Sequence, residues 1–211
     1  ISITFPKKIS EKKILEFAKG LANASKEFKI KFLGGDTNEG KEIAFNVCVF
    51  GITDNIVSRR GAKNKDLIFV TGSFGYTSVG LNMLLDKKKG NKNFVKKSIK
   101  SFVKPKPKLN FGLKNKKYFS SSMDSSDGLS ATLNELSRQN QLRFVLTKIP
   151  CSNDLIKFSK SHKLNFENLV FNGGEEFEIV FTASPENKSK LARIASKEKT
   201  PLLEIGYVTK G

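Results

Sequence analysis

The chain has 211 residues, a formal charge of +18, and 38% hydrophobic and 27% charged residues. That length can bury a real core in one large or two small domains, and the composition is that of an ordinary soluble globular protein. No apolar run approaches the roughly 20 residues a bilayer requires, nothing resembles a signal peptide, and Cys48 and Cys151 lack metal-ligand or redox spacing, so a membrane span and a disulfide framework are excluded.

Residues 9–28 read as a helix capped by Ser10, with Ile14, Leu15, Phe17, Ala18 and Leu21 as its apolar stripe. Ile30 to Leu33 reads as a short strand broken by Gly34-Gly35-Asp36-Thr37. Glu42 to Ile52 is β-like, and Asp54 to Arg60 extends it after a turn. Gly61 to Asp66 is a polar connector, taken as a domain boundary. Leu67 to Val70 is a compact buried strand, followed by Thr71-Gly72-Ser73-Phe74-Gly75 and a helix to about Leu85. A Lys/Gly loop at 86–92 leads to a helix at 93–103, stopped by Pro105 and Pro107, and a short helix at 108–115. Ser122 to Leu129 is a strand end or loop feeding a helix over 128–139. A strand at Arg143–Ile149 ends at Pro150. Then come a helix over 153–162, the segment Phe166–Phe171, a strand Phe177–Thr182, a helix opened by Ser184-Pro185-Glu186, and a strand Pro201–Val208. Alternating strands and helices predict an α/β or α+β architecture.

The charge invites a nucleic-acid partner, but only five of the 38 basic residues are Arg, and the lysines are dispersed, as in Lys87-Lys88-Lys89 and Lys96-Lys97. Specific nucleic-acid sites favour the bidentate fork of Arg, so the lysines read as solvated faces that also attract polyanionic small molecules. His162 is the only histidine. A histidine-based triad or zinc site is therefore excluded, and carboxylates, hydroxyls, Arg, Lys and backbone amides must carry any chemistry.

Three glycine/acid clusters stand out, each attached to a strand. In Ser122-Met123-Asp124-Ser125-Ser126-Asp127-Gly128-Leu129, two carboxylates lie three residues apart before an apolar-periodic run. Converging carboxylates repel unless a cation sits between them, and Mg2+ takes one or two carboxylates with phosphate oxygens and water. Read alone, Asp127 or Ser126 is more simply an N-cap, worth about 1 kcal/mol. Gly34-Gly35-Asp36-Thr37 lets backbone amides approach an anion beside a carboxylate, although, read alone, a plain Gly-Asp turn is the better account. Gly173-Gly174-Glu175-Glu176 repeats the arrangement before a strand. Thr71-Gly72-Ser73-Phe74-Gly75 lacks the ending of a P-loop and reads as a strand–helix turn. Arg59-Arg60 suits a phosphate clamp or a solvent-facing strand end.

In order the motifs read GGDT, RRGA with DLIFVTG, MDSSDGL and GGEEFEIVFT. This succession resembles the thiamine-monophosphate kinases, within the ATP-binding superfamily that includes aminoimidazole-ribonucleotide synthetase. The resemblance runs through essentially the whole chain, and MDSSDGL and GGEEFE are its most specific parts. It implies a two-domain fold of that superfamily, with residues 1–62 as the remnant of an N-terminal ATP-binding and dimerisation domain and 63–211 as the C-terminal α/β domain. It implies transfer of the ATP γ-phosphoryl group onto thiamine monophosphate, in a cytoplasmic homodimer with no specific nucleic-acid or membrane partner. Asp36, Asp124 and Asp127 take the places of the metal ligands for Mg2+, Asp124 and Asp127 also those of the catalytic residues. Gly35, Asp36, Arg59 and Ser126 take those of the nucleotide contacts, and Glu175 that of the substrate contact. All three acid clusters are then expected to converge on one cleft.

Several positions depart from the family pattern. Glu176 and Phe177 stand where members usually have Asp and Tyr, and Pro105-Lys106-Pro107-Lys108 replaces a usual Pro-x-Pro-Arg. An upstream half-domain with further aspartates and a C-terminal aromatic are absent. The start at Ile1 and the stop just after an apolar run suggest a piece of something longer. Another ATP-dependent enzyme of the superfamily, such as a ligase or a hydrogenase-maturation or selenophosphate enzyme, is the alternative, as is a catalytically incomplete remnant or basic binding module.

Overall fold

The computed structural model describes residues 1–86 and 90–211. The loop expected at 86–92 lies partly outside the described residues, and its Lys87-Lys88-Lys89 run wholly so. Two compact units are resolved, Ile1–Thr53 and Asp54–Gly211. Among the described residues no helix is long and apolar enough to cross a membrane.

The first unit comprises β1 (Ser2–Pro6), α1 (Glu11–Phe28), β2 (Asp36–Gly40) and β3 (Ala44–Asn46). Ser10 is the N-cap residue of α1, but its side chain makes no capping hydrogen bond. The helix is fastened by Phe17, whose ring meets Phe5 of β1 edge-on at 5.9 Å and Phe45 of β3 at 5.4 Å. The sheet order is β2-β1-β3, with β1 parallel to β2 and antiparallel to β3. This corrects the expected strand pattern. Ile30–Leu33 is not a strand, and the Gly-Gly-Asp-Thr turn instead opens one, because β1, unanticipated in the sequence, pairs Ser2 with Asp36. The β-like stretch 42–52 contributes only the three residues of β3, and 54–60 contributes no strand.

The second unit is built on β4 (Leu67–Val70), β5 (Ser121–Asp124), β6 (Arg143–Leu146), β7 (Ile179–Ala183) and β8 (Leu203–Thr209). They form one sheet in the order β5-β7-β4-β8-β6, each neighbouring pair antiparallel. Its helices are α2 (Tyr76–Asp86), α3 (Lys92–Val103), α4 (Leu109–Asn115), α5 (Leu129–Asn140), α6 (Asn153–Ser161), α7 (Phe166–Phe171) and α8 (Lys188–Lys197). Successive strand residues point to opposite faces, and both faces here are apolar. Ile68, Val70 and Val180 join Val79, Phe94, Leu129 and Leu155 in one core. Phe69, Phe181 and Ala183 join Phe111, Leu191 and Ala195 in another. The central strands are thus sandwiched between helices, a layered α/β arrangement on an antiparallel sheet.

The expected boundary at 62/63 falls later than the division between the units. Residues beyond Thr53 are tied into the second unit by Ser122, whose N–H donates to Ser58 O at 3.0 Å, and above all by Asn140. At the end of α5, Asn140 Oδ1 accepts the N–H groups of Gly61 and Ala62 at 2.8 and 2.9 Å, and its Nδ2 donates to Arg59 O at 2.8 Å. Asn140→Ala is expected to cost about 1–2 kcal/mol in urea unfolding and to open the segment around Arg59 to limited proteolysis.

Candidate active site

The MDSSDGL segment spans the end of β5, a turn and the start of α5. Asp124 is the last residue of β5 and Asp127 lies in the turn; both are exposed. The helix is capped by neither Asp127 nor Ser126. Gly128 is the N-cap residue, at φ 97° and without a side-chain cap. A side chain there would be strained by that φ and would crowd the carbonyls of Gly173 and Phe171, each 3.1 Å from an added Cβ. The Thr132 hydroxyl closes the turn from inside, reaching Asp124 O at 3.1 Å and Gly128 O at 3.0 Å. Freed from capping, both carboxylates stand on a fixed scaffold with their oxygens open to solvent.

The GGEE loop is fastened to this turn. Glu175 N–H donates to Ser126 O at 2.8 Å, and Ser125, fully buried, exchanges bonds with Glu178, its hydroxyl accepting from Glu178 N–H at 3.0 Å. Glu178 receives the Thr71 hydroxyl at 2.6 Å and pairs with Lys108 at 3.2 Å. Two non-glycine residues of the loop, Glu175 at φ 65° and Phe177 at φ 51°, occupy the left-handed region. That conformation costs roughly 1–2 kcal/mol per residue and persists only where surrounding contacts enforce it.

Glu176 provides such a contact. Its Oε1 accepts the N–H groups of Gly75 and Thr77, at 2.6 and 3.2 Å, where the Thr71–Gly75 turn enters α2. Burial raises its pKa from 4.5 to about 7; the bonds from Thr77 and Gly75 oppose the rise and the negative Glu178 adds to it. Between those values the folded chain keeps a proton that the unfolded chain has released. The contribution of this group to stability therefore falls as pH rises through that window.

Arg59 is exposed and lies 3.7 Å from Glu135 of α5. Hydrogen bonds from Arg138 and then Gln139 hold Glu135 down at about 2, with Arg59 a minor contributor, so the partner of Arg59 is ionised throughout the physiological range. In the first unit, Asp36 opens β2, its N–H donating to Ile1 O at 3.0 Å, while its carboxylate accepts from Thr37 N–H at 2.9 Å and Asn38 Nδ2 at 2.6 Å. Gly35 beside it leaves room for that closure, since an added Cβ would lie 2.7 Å from Ile1 O. The second unit thus brings two of the three clusters together, with Arg59, in the segment before β4, facing Glu135 of α5, whereas Asp36 and Gly35 belong to the first unit. Among the described residues no group of three or more His, Cys, Asp or Glu side chains is placed to hold a metal ion. His162 ends α6 with its ring 4.4 Å from that of Phe158. The part that Ser125, Thr71 and Glu178 play in joining these motifs escaped the sequence reading, although each lies in or beside a motif that the sequence marks.

A curated relative, "Thiamine-monophosphate kinase" from Nitrosopumilus maritimus, is 56% identical over 211 residues, covering 100% of this chain and 67% of the relative. The chain belongs to the thiamine-monophosphate kinase family. It spans about two thirds of the length of that kinase. Residues 1–53, the whole of the first unit, match the model of the AIR synthase related protein, N-terminal domain. Among solved structures, one described as "AaThiL complexed with AMPPCP and TMP" superposes with a TM-score of 0.82 at 26% identity, over 100% of this chain and 66% of that one. The HypE-HypF complex superposes at 0.70 and 13% identity, over 100% of this chain and 70% of that one, a likeness of fold alone. The thiamine-monophosphate kinase likeness takes in both units.

Proposed function

We propose that the protein transfers the γ-phosphoryl group of ATP onto the phosphate of thiamine monophosphate, giving thiamine diphosphate and ADP. The locking of the MDSSDGL turn to the GGEE loop carries this reading, because it sets a pair of free carboxylates and a separate acid, Glu175, on one rigid frame. The donor set suits Mg2+: two exposed carboxylates, with phosphate oxygens and water completing the shell. Asp124 and Asp127 would hold it; when bound it neutralises charge on the transferring group.

This chain supplies the rest through position and charge. Arg59 and Ser126 hold the nucleotide, Arg59 drawing in its phosphates. The start of α5 adds the favourable field of a helix N-terminus beside Ser126. Glu175 offers a negative charge to the cationic ring of thiamine. An oxygen of the acceptor phosphate forms the new bond to the γ-phosphorus as the β–γ bridging bond breaks and its electron pair leaves with ADP. The nucleophile is already an anionic phosphate oxygen, so no histidine base is required. The protein works as a cytoplasmic homodimer.

The test is a coupled measurement on the full-length protein with ATP, Mg2+ and thiamine monophosphate. ADP and thiamine diphosphate are expected in equal amounts, both lost when the metal is chelated. ADP release without thiamine diphosphate would overturn the reading.

A further inference from the structure

We infer that Glu176 is the positioning residue of the substrate loop: its ionised carboxylate ties the turn holding Glu175 to the first turn of α2, and so fixes where Glu175 stands. The inference rests on the proposed function only for what Glu175 touches.

The geometry is that of a two-ended clamp. One side chain reaches both Gly75 and Thr77 N–H. The same helix turn reaches back, the Thr77 hydroxyl donating to Gly174 O at 2.7 Å and the Ser78 hydroxyl to Leu169 O at 3.0 Å. Glu175 lies between this anchor and its own bond to Ser126 O, in a left-handed conformation that an untethered loop would relax. Gly75, at φ 93°, holds a conformation suited to glycine, and an added Cβ would lie 2.6 Å from the Leu155 side chain, so this donor position does not admit a larger residue without strain. Of the bonds joining loop and helix, those to Glu176 are the ones whose strength depends on charge, and an ionised acceptor makes a hydrogen bond roughly twice as strong as a neutral one.

Glu176 borders a cavity of about 320 Å3, and the groups around it decide when it ionises. Glu178, two residues on, opposes ionisation but is itself paired with Lys108. From α2 comes Tyr76, with Lys97 Nζ 4.0 Å from its ring centre; Lys97 and Lys100 of α3, then Lys104 and Lys106, line the opposite wall. Within this cavity it is the carboxyl of Glu176 that burial pushes up to about 7.

Two measurements on the full-length protein test this. The first follows the backbone amide resonances of Gly75 and Thr77 against pH. Both are expected to shift with one common midpoint near 7 and to stay flat in Glu176→Gln, which accepts the same bonds without a charge. The second compares KM for thiamine monophosphate. The ratio of Glu176→Gln to wild type is expected near one at pH 6 and roughly three- to tenfold at pH 8, with kcat little changed and Glu176→Asp restoring the wild-type profile. Using the ratio removes ionisation of the substrate's own phosphate. Amides that do not titrate, that titrate equally in Glu176→Gln, or a KM ratio constant with pH would each overturn the clamp. Failure to turn over thiamine monophosphate, with the amide titration intact, would sink the proposed function and leave the tie between loop and helix standing.

Discussion

Asp127→Asn is expected to stop thiamine diphosphate formation, lowering turnover by roughly 10²–10³-fold or more, the scale for losing one preorganised charge-stabilising group. The variant keeps shape and hydrogen-bonding capacity but removes the charge that would hold Mg2+. The fold gives a reason to expect this loss to be purely functional. Gly128, and not Asp127, is the N-cap residue of α5, and the turn is closed by Thr132. Circular dichroism and the urea midpoint should therefore match wild type. Had Asp127 been the cap, the same change would have cost the helix about 1 kcal/mol and blurred the result. Wild-type turnover in Asp127→Asn would remove this residue from the metal site.

Phe181→Ala is expected to destabilise the second unit by about 3–5 kcal/mol. Phe181 is fully buried on β7, stacked against Phe119 at 4.0 Å and Phe69 at 5.4 Å, with Phe111 tilted at 6.0 Å. Truncation leaves a void among three rings held by a strand, an α-helix and the segment before β5, which cannot all collapse together. Phe181→Leu should cost less, since part of the volume is retained. Equilibrium unfolding in urea measures both, and a loss below about 1 kcal/mol for the alanine variant would mean that the ring stack repacks freely.

Legibility of the fold in the sequence followed the reach of the contacts. The helices α2 to α6 and strands β4 and β8 were readable because local signals mark them: an apolar run at Leu67–Val70, a Lys/Gly loop before α3, Pro105 after it. Helix α1 was equally readable, although Phe17 reaches its partners only through the sheet. The first sheet was not, because β1 is a five-residue strand ending in proline, and Asp36 extends only because Ser2 lies beside it. The paired acids and the Gly-Gly-Glu-Glu loop were visible as clusters. Their mutual fastening was not, since it runs through Ser126 O and other backbone atoms that carry no residue identity. Glu176 shows the same limit: its place in the motif was plain, but its burial and its two N–H partners depend on a turn about a hundred residues away.

Order of synthesis gives the antiparallel sheet a further property. Strand β4 lies at its centre, between β7 and β8, and the Thr71–Glu178 bond at its end joins residues 107 positions apart. While a ribosome makes the stretch between, β4 has neither neighbour, and β6 must wait for β8 to fill the place beside it. Local helices such as α2 and α3 can pair early, but the sheet closes only when its late strands emerge, and pairing over such separations is slow. A nascent chain that ends before Leu203 carries β4 and β6 with unpaired edges, an aggregation-prone state that leaves the site loops without the frame that holds them.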